Sequence, residues 1–253
     1  MGKTIFITGA SSGIGKACAY RFAEKGNTLI ITGRRAEKLN DLAIELQKKT
    51  EAEVIVLAFD VRSRVEVANA VNQLADKYKA PDILINNAGL ALGLDPINSG
   101  NQDEWETMID TNIKGLLNIT KELIPYMIEK KSGHILNIGS IAGREVYTNG
   151  NVYCATKAAV DSISKAMRID LLPYGIKVTQ IAPGAVETEF SKVRFGGDDS
   201  RAKAVYNGFE PLHPDDVAEV IHYATSLPAH VNINDLLLMP TAQASATIIH
   251  RKS

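Results

Sequence analysis

The sequence predicts a single α/β domain in which a mostly parallel sheet of seven strands is covered by helices on both faces. Seven short apolar runs of strand length recur along the chain, and longer segments with helical periodicity separate several of them. This alternation favours right-handed crossovers between parallel strands. The chain has 253 residues and no linker rich in proline or glycine, so one domain spanning residues 1–253 is expected.

The predicted strands are rich in aliphatic and β-branched side chains. They lie at 4–8, 28–32, 53–58, 82–86, 134–138, 177–182 and 235–239. Helical periodicity is clear at 15–26, 64–78, 106–128 and 152–172. The longest stretch without periodicity, 183–212, follows the sixth strand. Loops that cover a ligand occur at such positions, so we expect this stretch to be a substrate loop.

Composition and charge exclude several classes of protein. The 28 basic residues nearly balance 29 acidic ones, which argues against a nucleic-acid-binding or membrane-binding surface and favours a small-molecule partner. Two cysteines, Cys18 and Cys154, fit a reducing compartment better than a disulfide scaffold. The N-terminus lacks a signal-peptide pattern and no apolar run has membrane-spanning length, so we expect a cytoplasmic protein. No metal site is predicted.

A glycine-rich turn, "TGASSGIG" at 8–15, joins the first strand to the first helix. Glycine lets the backbone approach a pyrophosphate closely, and the helix N-terminus supplies free N–H groups. Glycines also serve ordinary turns, but this position favours a dinucleotide site. The residues expected to contact the cofactor here are Gly9, Ser11, Ser12, Gly13, Ile14 and Gly15.

The end of the second strand indicates which dinucleotide is bound. An acidic residue there favours NAD, whereas this chain carries Arg34 and Arg35. Two guanidinium groups suit a dianionic 2′-phosphate, which predicts NADP; the alternative is a basic first turn of an exposed helix. Asp60 and Val61 follow the third strand, where Asp60 could accept a hydrogen bond from the adenine amino group or be an ordinary strand-end aspartate.

Tyr153 and Lys157 lie four residues apart in "YCATK", so a helix would place them on one face. Taken alone, this spacing also fits a solvated amphipathic helix. Six motifs in order change that interpretation, because together they resemble the short-chain dehydrogenase/reductase family. The motifs are "TGASSGIG" (8–15), "NNAG" (86–89), "TNIKG" (111–115), "IGSIAG" (138–143), "YCATK" (153–157) and "PGAVET" (183–188).

The resemblance implies a Rossmann-type doubly wound fold and a role for each motif. Tyr153 would be the general acid/base, and Lys157 would favour its phenolate and hold the nicotinamide ribose. Ser140 would stabilise the substrate oxygen, and Asn112 would hold a water for proton relay. The resemblance further assigns cofactor contacts to Asn87, Ala88, Gly89, Pro183, Gly184, Val186 and Thr188.

Several loops are similar to those of one subgroup, the NADP-dependent 3-hydroxy acid dehydrogenases that act on L-allo-threonine and serine. The similar stretches are 86–96, 103–116, 189–199 and 227–235. The implied reaction oxidises the 3-hydroxyl of a small hydroxy acid. A carboxylate substrate needs a cation, for which Arg194 is the first candidate and Arg144 the second. Either could instead be a surface arginine paired with acidic neighbours.

Two other functions stay open at this point. One is a broad carbonyl or diketone reductase, and the other is a protein that senses the cofactor without chemistry. The intact set of Tyr153, Lys157, Ser140 and Asn112 argues against the second. The resemblance also implies a homotetramer in which long helices pair across a two-fold axis.

Overall fold

All seven strands of the central sheet are parallel, as the computed structural model of residues 2–252 shows. The strands are β1 (Thr4–Ile7), β2 (Thr28–Gly33), β3 (Glu53–Ala58), β4 (Ile83–Asn86), β5 (Gly133–Ile138), β6 (Ile176–Pro183) and β7 (Asp235–Leu238). Their spatial order is β3-β2-β1-β4-β5-β6-β7. Strand β1 lies in the interior of the sheet, with β2 and β3 following on one side of it. The chain then crosses to the other side of β1, where β4 lies. This reversal opens a crevice at the carboxyl edge of the sheet, between β1 and β4.

Between residues 2 and 252, ten α-helices surround the sheet. They are α1 (Gly13–Phe22), α2 (Ala36–Lys49), α3 (Arg64–Gln73), α4 (Asp76–Lys79), α5 (Gln102–Ile109), α6 (Leu116–Lys130), α7 (Asn151–Asp170), α8 (Glu189–Arg194), α9 (Asp199–Ala204) and α10 (Pro214–Ser226). Strand β1 shows why both faces are covered. Ile5 and Ile7 pack into the core formed with α1, α2 and α10, whereas Phe6 packs into the core formed with α3, α6 and α7. The predicted single doubly wound domain is therefore confirmed.

The predicted helix at 64–78 is interrupted at Leu74 and Ala75, which divide it into α3 and α4. Helix α3 ends at Gln73 because Leu74 and Ala75 are extended, with ψ of 141° and 145°. Leu74 is buried in the core, and the Tyr78 phenol in α4 donates to the Glu53 carboxylate at 2.7 Å. These tertiary contacts outweigh the local periodicity.

The segment 183–212 contains two short helices that periodicity alone did not reveal. Thr188 caps α8 by accepting from the Phe190 backbone N–H at 3.1 Å, and Asp198 caps α9 by accepting from that of Arg201 at 3.0 Å. Both caps are visible in the sequence as Thr and Asp before a helical turn. The predicted helix at 106–128 is a longer unit in which a π-helical turn at Asp110–Gly115 joins α5 to α6.

Residues 2–252 include no helix that is both long and apolar enough to cross a membrane. Over the same residues, no group of three or more His, Cys, Asp or Glu side chains is placed to hold a metal ion. Cys18 and Cys154 are both buried free thiols.

His134 in β5 is a buried histidine, with Nε2 lying 2.7 Å from the Thr179 hydroxyl in β6. Burial lowers the pKa of His134 to about 3, and the charges of Lys177 and Lys3 act in the same direction. An unfolded histidine titrates near ~6.5, so below that pH the unfolded chain binds a proton that the folded chain does not. His134 therefore makes the fold less stable as the pH falls from about 6.5 toward 3.

The free energy of unfolding of the wild type should decrease between pH 7 and pH 4.5. In His134→Gln we expect this decrease to be smaller by about 2–3 kcal/mol. Urea unfolding at both pH values measures this difference. The matched control is His230→Gln, which replaces an exposed histidine and should keep the wild-type pH dependence. An unchanged pH dependence in His134→Gln would contradict the prediction.

Candidate active site

A cleft of about 320 Å³ opens at the carboxyl edge of the sheet. Its lining includes most of the residues that the sequence assigns to cofactor binding and catalysis. Those outside its lining are Gly15, Asn112, Arg144, Gly184 and Arg194. Arg194 instead lines a small adjoining pocket that shares Tyr153 with the main cleft.

The glycine-rich turn forms one wall of the cleft. Gly9 and Gly13 have φ of +67° and +53°, a left-handed conformation that favours glycine. At Gly15 the absence of a side chain allows close packing against the turn, since a Cβ there would lie 2.4 Å from the Gly9 carbonyl oxygen. The Asn87 amide donates to the carbonyl oxygens of Thr8 at 2.9 Å and Gly9 at 3.2 Å, which fixes the turn against the end of β4.

The two arginines after β2 have different environments. Arg34 is exposed and lines the cleft. Arg35 donates from Nη1 to the Glu189 carboxylate at 2.7 Å and from Nη2 to the hydroxyls of Ser11 at 2.8 Å and Ser12 at 2.6 Å. Arg35 therefore already has an anionic partner from α8, which the sequence analysis did not anticipate.

Asp60 lines the cleft as expected, but its carboxylate is shared. Arg62 donates to one Asp60 oxygen from Nε at 2.9 Å and from Nη2 at 2.6 Å, and its backbone N–H binds the other oxygen at 3.0 Å. A carboxylate has further lone pairs, so the adenine contact of Asp60 stays a prediction.

Helix α7 places Tyr153 and Lys157 on one buried face, one turn apart, with exposures of 9% and 7%. The Lys157 ammonium donates to the Ile138 carbonyl oxygen at 2.8 Å, at the carboxyl end of β5. Burial lowers the pKa of Lys157 to about 8. The ammonium is thus largely charged at neutral pH and held toward the cleft.

Several neighbours influence the acidity of Tyr153, and the expected effect of Lys157 on the phenolate stays a prediction. Burial raises the pKa of the Tyr153 phenol, and the neighbouring Tyr147 adds to this effect. The groups that oppose the rise are the Ser140 hydroxyl and the Arg194 charge. Tyr153 is therefore a protonated phenol at neutral pH in this structure.

Ser140 and Asn112 are both buried and hydrogen-bonded to the protein. The Ser140 hydroxyl accepts from the Ala142 N–H at 3.1 Å and caps the short turn after β5. The Asn112 amide accepts from the Leu90 N–H at 2.8 Å and donates to the Leu90 carbonyl at 2.8 Å and the Thr156 hydroxyl at 3.0 Å. These contacts favour a positioning role for Asn112, while proton relay stays a prediction.

Arg194 and Arg144 occupy very different places. The Arg194 guanidinium lies 5.6 Å from the Tyr153 ring centroid, and it donates to the Tyr147 hydroxyl at 2.8 Å and the Gly93 carbonyl at 3.1 Å. Arg144 instead forms an ion pair with Asp235 at the start of β7, outside the cleft lining. Of the two candidates, only Arg194 lies beside Tyr153.

Residues 3–197 match the family model described as short chain dehydrogenase. The chain belongs to the short-chain dehydrogenase family. This confirms the resemblance drawn from the six sequence motifs, and it makes the protein an oxidoreductase that acts on CH–OH groups.

Within this family, similar proteins cover almost the whole chain. Sulfoacetaldehyde reductase 2 of Chromohalobacter salexigens is 46% identical over 245 residues, which cover 96% of each chain. The NADP-dependent 3-hydroxy acid dehydrogenase of Escherichia coli is 44% identical over 250 residues, covering 98% of this chain and 99% of that one. A solved serine dehydrogenase in its closed form with NADP+ has a TM-score of 0.91 at 45% identity, covering 98% and 100% of the two chains.

Glu189 and Phe190 are among the cleft residues of this short-chain dehydrogenase that the sequence did not predict. Glu189 pairs with Arg35, and the Phe190 ring meets the Tyr153 ring edge-on at a centroid distance of 5.5 Å. Thr188 was the available signal, because an N-cap predicts that a helix starts at the next residue.

Proposed function

We propose that this protein is an NADP-dependent oxidoreductase that transfers a hydride between the nicotinamide and the 3-hydroxyl carbon of a small hydroxy acid. The observation that carries the proposal is the position of Arg194, 5.6 Å from the Tyr153 ring. A cation therefore lies beside the side chain proposed as the proton donor, which suits a substrate with a hydroxyl group and an acid group.

The cleft residues fit NADP. The left-handed turn at Gly9 and Gly13 opens the ten-residue helix α1, whose first N–H groups suit a pyrophosphate. Arg34 and Arg35 provide the positive charge for a 2′-phosphate, and the buried Lys157 would hold the nicotinamide ribose. NADP-dependent relatives and the NADP+ complex of a similar structure support this choice. When bound, NADP supplies or accepts the hydride.

The proton chemistry follows from the buried phenol. In reduction, Tyr153 donates its proton to the carbonyl oxygen while the Ser140 hydroxyl stabilises the developing charge. In oxidation, the phenolate must accept the proton from the substrate hydroxyl. Because burial raises the pKa of Tyr153, the phenolate fraction and hence the rate of oxidation should increase with pH across the neutral range.

The anion bound by Arg194 could be a carboxylate or a sulfonate, since a guanidinium binds either group through paired oxygens. The 46% identity with a sulfoacetaldehyde reductase favours a short sulfonate aldehyde as the second candidate substrate. In both cases the segment 183–212, which carries Arg194, acts as the substrate loop.

The proposal extends to assembly and location. Ile169 at the end of α7 is 74% exposed and Leu172 just beyond it is 76% exposed, which supports the homotetramer implied by the family resemblance. The two buried free thiols, Cys18 and Cys154, support a reducing, cytoplasmic location.

Tyr153→Phe should lower kcat by roughly 10²- to 10⁴-fold, because proton transfer is lost while the ring still packs. Binding of NADPH, measured by fluorescence titration, should stay within about twofold of the wild type. Phe190→Tyr, which keeps a ring beside Tyr153, serves as the control for altered packing. Near-normal turnover in Tyr153→Phe would contradict the assignment.

Arg194→Ala should reduce kcat/KM for L-allo-threonine relative to that for an uncharged alcohol of similar size. The ratio of the two kcat/KM values should fall by roughly 10- to 100-fold, which corresponds to the loss of one hydrogen bond to a charged group. The ratio is the sharper measure, because the Arg194 charge also acts on Tyr153 and so affects both substrates. Arg144→Ala is the control and should keep the wild-type ratio. Equal losses for both substrates in Arg194→Ala would show that the arginine only supports the loop.

A further inference from the structure

Glu189 connects the substrate loop to the end of the cleft that is lined by Arg34 and Arg35, which we call the cationic end. It is the first residue of α8, and its carboxylate accepts from Arg35 Nη1 at 2.7 Å and from Lys38 Nζ at 3.0 Å. These hydrogen bonds lower the pKa of Glu189 to about 2, so the carboxylate is charged at neutral pH. The two cations and the carboxylate are each between 42% and 49% exposed, so solvent and ions can reach the cluster.

The Arg35 guanidinium has most of its donors engaged. While Nη1 binds Glu189, Nε and Nη2 bind the Ser11 hydroxyl at 3.1 Å and 2.8 Å, and Nη2 also binds Ser12. A second anion that binds at Nη1 of Arg35 must therefore share or displace the Glu189 carboxylate. Two anions at one guanidinium also repel each other.

Two other side chains of α8 lie beside Tyr153. Phe190 meets the Tyr153 ring, and Arg194, one turn further on, lies 5.6 Å from the same ring. Gly196 and Gly197 follow α8 with φ of +61° and +95°, and a Cβ at either position would meet nothing within 4 Å. Helix α8 thus extends from the cluster of Glu189, Arg35 and Lys38 to Tyr153. The unpacked pair Gly196 and Gly197 follows its C-terminal end.

We propose that Glu189 is an internal competitor of the cofactor 2′-phosphate for Arg35 and Lys38, and that its displacement loosens α8 at the cationic end of the cleft. The proposal rests on the proposed use of NADP. Glu189 then weakens the binding of phosphorylated cofactor and leaves binding of an unphosphorylated one unchanged. It also couples cofactor exchange to the mobility of the loop that carries Arg194.

The direct test compares binding of 2′,5′-ADP, which carries the 2′-phosphate, with binding of ADP, which lacks it. In isothermal titration, Glu189→Gln should bind 2′,5′-ADP with a Kd about three- to tenfold lower than that of the wild type. The Kd for ADP should be the same in both proteins. The gain should shrink at high salt because the cluster is exposed. Glu187→Gln, an exposed carboxylate two residues earlier in the same loop, is the matched control and should bind both ligands like the wild type.

A second readout follows α8 itself by hydrogen exchange of the amides at 189–194. Saturating 2′,5′-ADP should accelerate their exchange in the wild type, whereas in Glu189→Gln exchange should already be fast and insensitive to the ligand. Protection of α8 by 2′,5′-ADP in the wild type would overturn the proposal.

The results also separate this proposal from the choice of cofactor. If the wild type binds 2′,5′-ADP no better than ADP, the NADP assignment fails, and the role of Glu189 fails with it. If the wild type prefers 2′,5′-ADP but Glu189→Gln binds it equally or more weakly, only the role of Glu189 is overturned.

Discussion

The parallel direction of all seven strands is the constraint on which the site depends. Parallel strands bring their carboxyl ends to one edge, so segments far apart in sequence meet there without any long loop. The glycine-rich turn after β1, Asn87 after β4, Ser140 after β5 and Pro183 at the end of β6 all reach the cleft in this way. The reversal of strand order between β1 and β4 leaves space for a ligand between them.

Burial then sets the chemistry of that edge. It acts in opposite directions on the two ionisable groups of α7, lowering the pKa of Lys157 and raising that of Tyr153. At neutral pH this leaves a charged ammonium fixed to the Ile138 carbonyl and a neutral phenol able to donate a proton. Arg194 belongs to α8, so the loop lowers the pKa of Tyr153, and in the proposed function the same arginine recognises the substrate.

The sequence could predict those features that depend on local pattern. Strand and helix periodicity gave the sheet, and the short motifs around Gly9, Tyr153 and Ser140 gave the cleft, because each motif lies at a defined end of a strand or helix. Pairings across long sequence separations could not be predicted, because they depend on the assembled fold. Arg35 and Glu189 are 154 residues apart, and nothing in either neighbourhood indicates their contact. The break at Leu74 was missed for the same reason.

The central claim is that the protein recognises charge at both ends of one cleft, the 2′-phosphate of NADP at one end and an acid group beside Tyr153 at the other. Steady-state kcat/KM of the wild type for 3-hydroxypropionate and for propan-1-ol, each with NADP+ and with NAD+, tests this claim most directly. We expect kcat/KM for the acid with NADP+ to be at least about tenfold higher than kcat/KM for the alcohol with NADP+. It should exceed kcat/KM for the acid with NAD+ by at least the same factor, which is the effect of one charge-assisted hydrogen bond. Equal values for the acid and the alcohol, or for the two cofactors, would contradict it.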